Sequence, residues 1–180
     1  MNTVEPIKDL KLLKKIELYL EQQNLRDLLL FVMGTNTGLR VSDILALDVD
    51  DVKEKDFVVI NEKKTGKYKK FPLNSKIKSL VKKFTLNKEQ GEPLFTTIYN
   101  NRMDRIHAYR IIKNACGKNG IKNYIGTHTL RKTFGYHHYS RFKDIALLQK
   151  IMNHSSPLIT LRYIGIEQEE IDNSYLSFVL

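Results

Sequence analysis

His128 and Arg131 lie three residues apart in the run Gly126-Thr127-His128-Thr129-Leu130-Arg131. If a helix begins at that point with Thr127 as its N-cap, both side chains fall in its first turn on one face. A helix N-terminus favours an anion, and a guanidinium beside an imidazole makes a phosphate site that also holds a proton carrier. The same spacing describes a surface pair on an amphipathic helix whose core face is Leu130, Phe134 and Tyr139. Two other places bear on the choice. Arg40 directly follows a helix stop at Thr37-Gly38, and Asp43, three residues on, is positioned to hold its guanidinium. His154 follows Asn153, a residue that tolerates a left-handed helix cap, and Tyr163 comes nine positions later. Taken singly, Tyr163 also reads as a core aromatic and His154 as a helix cap.

The charge balance points to a polyanionic partner. Thirty Lys and Arg against 20 Asp and Glu give a formal net charge of +10, and the pI is near 9.6. Nucleic acid leads as the partner and an anionic membrane surface comes second. The charge is polarised along the chain: residues 63–83 carry nine Lys and no acid, whereas residues 48–56 carry five acids. A solvated face would look the same. A lysine near the tip of a two-stranded ribbon, however, can reach a DNA groove or a phosphate. The acids at 48–51 lack the further ligands of a Mg²⁺ site and read as a turn before the sheet. His137 and His138 read as packing or DNA-facing residues and His107 as exposed.

With 42% hydrophobic and 28% charged residues, the chain reads as one folded domain from end to end. The single cysteine, Cys116, leaves no disulfide framework and no cysteine-based zinc cluster, and fits a reducing cytoplasm. No signal peptide is recognisable, and the longest apolar run, 28–33, is too short to cross a bilayer.

The elements that must position these residues are mostly helices. Leu10, Leu13, Ile16 and Leu20 recur at helical spacing, a second helix opens at 27–33 and closes at Thr37-Gly38, and a short third follows Arg40. Residues 57–60 and 68–73 read as strands joined through the turn pair Thr65-Gly66, a β-hairpin. Helical spacing returns after Asn74, with Ile77, Leu80, Val81 and Phe84 on one stripe, and again after Asp104, Thr127, Asp144 and Ser156. The expected class is α+β, mainly α, with one small antiparallel sheet.

In order and spacing together, the set resembles the catalytic domain of the tyrosine recombinases, the phage integrase family. The resemblance rests on Thr37-Gly38-Leu39-Arg40 with Asp43 behind it, and on Lys64-Thr65-Gly66-Lys67 running into Phe71-Pro72-Leu73. It continues with His128-x-x-Arg131, the helix-end His154 and the pair Arg162-Tyr163. It covers about residues 5–178. Asn153 stands where the family usually has Gly, a change the left-handed cap should tolerate. Many members also carry an N-terminal DNA-binding domain, whereas this chain opens on the first helix of the catalytic domain. Either this is a short recombinase consisting of residues 1–180 as a single catalytic domain, the expected reading, or it is a fragment.

The resemblance implies a site-specific recombinase or integrase that cuts and rejoins DNA without metal, ATP or other cofactor. Arg40 and Arg131 would grip the phosphate, Tyr163 would attack it, and His128 would accept the tyrosine proton. His154 would bond a phosphoryl oxygen, Lys64 would protonate the leaving 5′-oxygen, and Asp43 would support Arg40. The arginines and histidines would offset the weak nucleophilicity of a phenol, whose ordinary pKa is near 10. Lys63, Lys67, Lys69, Lys70, Lys132 and Arg162 are expected to contact double-stranded DNA. The implied assembly is a homotetramer on two duplexes, helped by an accessory directionality protein, in the cytoplasm of a bacterium or encoded by a phage or mobile element. Residues 166–179 read as an amphipathic helix that packs on its own domain or, as in the family, on a neighbouring protomer. The competing functions are a type IB topoisomerase-like relaxing enzyme and a DNA-binding regulator that does not cut.

Overall fold

The computed structural model describes residues 4–121 and 124–179. Helix α1 (Leu10–Gln23) starts at Asp9, whose carboxylate accepts from the backbone N–H groups of Lys11 and Leu12. Its buried face is Ile16 and Leu20. Leu10, in the first turn, stays exposed. Helix α2 (Leu25–Thr37) is apolar around its circumference, with residues 28–34 all buried, and forms the central post of the domain. It ends at Gly38, whose φ of 64° requires the left-handed conformation that glycine adopts without strain.

Two single-turn helices follow, α3 (Val41–Ile44) and α4 (Val49–Val52). The acidic stretch expected as a turn is thus helical. Asp51 accepts from the Asp48 N–H at 2.8 Å, Asp48 pairs with Arg102 at 2.5 Å, and Asp50 accepts from the Gly91 N–H. Satisfied in this way, these acids close α4 onto the 91–102 segment. Strands β1 (Phe57–Asn61) and β2 (Tyr68–Pro72) form the two-stranded antiparallel hairpin, with Val58 opposite Phe71 and Ile60 opposite Lys69. Val58 and Phe71 enter the core while Phe57, Val59 and Lys70 face outward, the alternation a pleated ribbon imposes.

Helices α5 (Ser75–Phe84) and α6 (Arg105–Lys118) are capped by Asn74 and Asp104. Helix α5 presses Ile77, Leu80 and Val81 into the core. Its Lys76 and Lys78 form ion pairs with Glu17 and Asp56, so the basic run divides into a hairpin half and a helix half with separate partners.

The last four helices are α7 (Thr129–Phe142), α8 (Ile145–Met152), α9 (Pro157–Ile164) and α10 (Glu167–Ser177). Helices α1 to α6 and the hairpin share one large core. Tyr139, Leu148, Met152, Ile164 and Ile166 form a second, smaller one. Helix α7 reaches both, through Leu130 on the large core and Tyr139 on the small. Ile171, Tyr175, Leu176 and Phe178 remain exposed, Tyr175 to 81%, so the α10 segment does not bury its apolar side chains on its own domain.

Helix α7 crosses the smaller core tightly. A Cβ on Gly135 of α7 would lie 2.6 Å from Ile164 Cγ2 and 3.2 Å from Met152 Sδ. Ile164 follows Tyr163 directly, so this contact fixes how close the tyrosine helix comes to α7. Gly135→Ala should destabilise the fold by about 1–3 kcal/mol, as overpacking does. Urea denaturation would show a lower midpoint at an unchanged slope.

Candidate active site

The site forms where the ends of α2, α7, α8 and α9 converge beneath the hairpin tip. Arg131, 2% exposed, donates from Nη1 to the Gly38 carbonyl at 2.6 Å and from Nη2 to the Met152 carbonyl at 2.5 Å. Gly38 caps α2 and Met152 ends α8. Each left-handed cap leaves a C-terminal carbonyl with no intrahelical partner, and the guanidinium takes one from each. The guanidinium also hydrogen-bonds Tyr163.

Arg40, at the start of α3, is held differently from the sequence expectation. Its Nη1 lies 2.9 Å from Glu62 Oε2 and 3.9 Å from Asp43 Oδ2, so Glu62 is the close partner. Asp43 instead accepts from the Lys63 N–H at 2.9 Å and pins the hairpin tip. Glu62 also accepts from the Thr65 hydroxyl at 2.7 Å. Burial pushes the Glu62 carboxyl up, but hydrogen bonds from Thr65, Arg40 and Asn153, together with the Arg40 charge, carry it below the usual range. An acid at the foot of a lysine-rich tip was the available signal for Glu62. It went unread because its partner lies 22 positions away.

Helix α7 begins one residue later than expected. His128, not Thr127, is the N-cap, without a side-chain capping bond, while the Thr129 hydroxyl accepts from the Gly126 N–H at 3.1 Å. His128 is therefore free of capping duty. Its Nδ1 lies 3.0 Å from the Tyr163 hydroxyl. His154 stands edge-on to the Tyr163 ring, with centroids 5.0 Å apart, and its Nδ1 lies 3.1 Å from the Thr160 hydroxyl. Asn153 adopts φ 52°, the left-handed cap expected for it, and this turns His154 back toward Tyr163.

A cavity of about 410 Å³ opens beside His128, lined also by Arg40, Ser42, Lys63, Lys64 and Arg105. Arg105, at the start of α6, carried no motif and was not read from sequence. Lys64 sits exposed on the tip. Of the other expected DNA contacts, Lys63, Lys67, Lys70 and Arg162 are exposed. Lys69 and Lys132 are turned inward. Lys69 donates to the Ile151 carbonyl at 2.7 Å, and Lys132, 8% exposed, places its ammonium 5.3 Å from the Tyr163 ring centroid. Tertiary partners claimed both cations. His137 Nε2 lies 2.9 Å from the Ile7 carbonyl, and His138 packs between Phe134 and Phe142. His107 is half-buried rather than exposed.

Burial dominates the proton chemistry. It raises the Tyr163 phenol above its ordinary range, while the Arg131 and Arg40 charges and an Arg131 hydrogen bond pull it down, the direction expected of the arginines. Burial and the charges of Arg131, Arg105, Arg40 and Lys64 lower His128, which leaves it neutral and able to accept a proton. Burial, Arg131 and Arg40 push His154 down to about 4. Together the groups form an anion site with a neutral base against a protonated phenol.

The same shift makes stability depend on pH. Between about 6.5 and about 4 the unfolded chain takes up a proton at His154 that the folded chain refuses, so the folded state loses stability as pH falls through that window. His154→Gln should flatten the loss. Urea midpoints measured at the two ends of the window, for wild type and variant, would check it.

Comparison with known proteins bears on family and fold. The model of the phage integrase family matches residues 8–170. The probable integrase/recombinase YoeC of Bacillus subtilis (strain 168) is 45% identical over 179 residues, covering 99% of this chain and 98% of YoeC. The tyrosine recombinase XerA of Pyrococcus horikoshii is 27% identical over 82% of this chain and 53% of its own, so the chain spans about half the length of that relative. Among solved structures, XerA recombinase superposes with a TM-score of 0.79 at 20% identity, covering 97% of this chain and 65% of its own. The catalytic domain of bacteriophage HP1 integrase superposes with a TM-score of 0.67 at 21% identity, covering 97% and 95%. These likenesses show the fold. The family match and the YoeC identity show the kinship: the chain belongs to the phage integrase family, that of the tyrosine recombinases.

Proposed function

We propose that this protein is a site-specific DNA recombinase or integrase that breaks and rejoins strands through a covalent 3′-phosphotyrosine. The observation that carries the reading is His128 Nδ1 at 3.0 Å from the Tyr163 hydroxyl, beside the Arg131 guanidinium. A scissile phosphate would enter the basic cavity and accept hydrogen bonds from Arg40 and Arg131 on its nonbridging oxygens. Tyr163 Oη would attack phosphorus as its proton passes to His128. The bond from phosphorus to the 5′-oxygen would break, and Lys64 would give that oxygen its proton. His154, oriented by Thr160, would bond a phosphoryl oxygen. The raised phenol pKa keeps Tyr163 protonated until the phosphate is in place, which limits attack to the assembled complex.

The ester conserves the energy of the broken bond, so religation requires neither ATP nor metal. The proposed partner is double-stranded DNA, contacted by Lys63, Lys67, Lys70 and Arg162, and the proposed setting is the bacterial cytoplasm. Residues 1–180 would act as one catalytic domain. A λ integrase tetramer bound to a Holliday junction, 16% identical with a TM-score of 0.73, has the same fold. The exposed Tyr175, Leu176 and Phe178 support a homotetramer on two duplexes in which this segment docks on a neighbouring copy, with an accessory protein setting direction.

Trapping on a nicked suicide duplex tests the chemistry. Wild type should give a covalent band on a denaturing gel that Tyr163→Phe abolishes. Arg131→Lys should slow its formation by about 10² to 10³, because a lysine cannot reproduce the fork that holds two carbonyls and a phosphate. A gel shift with no band under any condition would point to a DNA-binding regulator, and relaxation of supercoils without sequence preference would point to a topoisomerase-like enzyme. Deletion from Asp172 onward should abolish higher-order complexes on native gels while leaving single-site binding intact. Unchanged assembly would remove the docking role of the tail.

A further inference from the structure

Lys69 is the one hairpin lysine that the proposed chemistry leaves without a task. Lys63, Lys64, Lys67 and Lys70 are exposed, whereas Lys69 lies on the face of β2 that also carries Phe71 inward. Its ammonium donates to the Ile151 carbonyl at 2.7 Å. Ile151 belongs to the last turn of α8, and the next carbonyl, Met152, is the one held by Arg131. Two adjacent carbonyls at the negative end of one helix are thus held by cations from two different elements, β2 and α7.

The place matters as much as the bond. Val58 and Phe71 of the hairpin belong to the larger core, and Leu148 and Met152 of α8 to the smaller. Between hairpin and α8 lies a cavity of about 480 Å³, lined by Lys69, Phe71, Ile151 and Asn153, with Lys70 and Lys150 at its rim. The Lys69–Ile151 bond links the two elements there, and a second polar link joins Asn153 to Glu62 at the foot of the tip. The hairpin carries Lys64, and the end of α8 carries His154.

We propose that Lys69 is a positioning residue whose charged link to the end of α8 sets the hairpin tip bearing Lys64 against the turn bearing His154. The inference rests on the recombinase reading for its effect on cleavage, but not for the link itself. Burial and the Arg131 charge lower the Lys69 ammonium to about 8; Arg40 acts in the same direction, and Glu62 and Asp43 oppose it. The link is therefore mostly charged at neutral pH and loses its charge as pH rises through about 8.

Two measurements on the full chain test this, one of them independent of activity. In the DNA-free protein, the backbone amide resonances of Lys64 and His154 should titrate together with a midpoint near pH 8 and be flat over that range in Lys69→Arg, whose charge does not titrate. On the suicide duplex, Lys69→Met should slow covalent adduct formation about tenfold or more, as misplaced reacting groups do, with DNA affinity unchanged. Lys69→Arg should restore the rate and remove its decline above about pH 8. Resonances that fail to titrate together would overturn the proposal whatever the cleavage result. So would an affinity loss in Lys69→Met that matches the rate loss, since that marks an ordinary phosphate contact. A shared titration in a protein that never forms an adduct would leave the link standing and sink the recombinase reading instead.

Discussion

A guanidinium removed from water has to find acceptors, and Arg131 finds them at the ends of two helices that belong to different parts of the molecule. The Gly38 carbonyl terminates α2, the post of the large core, and the Met152 carbonyl terminates α8, part of the small one. A hydrogen bond to a charged group contributes about 1.5–3 kcal/mol, and a buried guanidinium left without one costs more. The two left-handed caps serve this constraint, each leaving a free carbonyl where one arginine can reach it. The backbone geometry that makes the site also holds the cores together.

The same burial decides where the protons are. A phenol and two imidazoles share a desolvated region with two guanidinium groups, and such a region favours neutral side chains over added positive charge. Tyr163 stays protonated, and His128 and His154 stay neutral. The unbalanced positive charge of the arginines is left for whatever anion enters the cavity. Glu62 offsets part of it and, through Thr65 and Arg40, fastens the hairpin foot to the start of α3.

Much of this was legible because it is local. The caps at Asn74, Asp104, Asp144 and Ser156 each accept from a backbone N–H three residues ahead, so side-chain type and position suffice to place them. The left-handed ends at Gly38 and Asn153 follow from residue type in the same way. The hairpin was readable from its turn pair and flanking extended runs, although the inward side of Lys69 was not drawn from the alternation that Phe71 already implied. The helical form of 49–52 also had a local signature, the capping box between Asp48 and Asp51, and it went unread. The inward turn of Lys132 had none, because its ammonium meets the ring of Tyr163, far along the chain.

From the sequence come the residue types, their order and the elements that carry them: a mainly helical chain with one basic hairpin, and Arg40, Lys64, His128, Arg131, His154 and Tyr163 at element ends. Short-range hydrogen bonding and hydrophobic period fix such features within a few residues. The tertiary structure alone decided who holds whom. Glu62 rather than Asp43 is the close partner of Arg40, Lys69 bonds Ile151 instead of facing outward, and the tail after Tyr163 leaves its apolar side chains uncovered. A long charged side chain has many rotamers of similar energy. Which one is occupied depends on acceptors and on water excluded by segments tens of residues away.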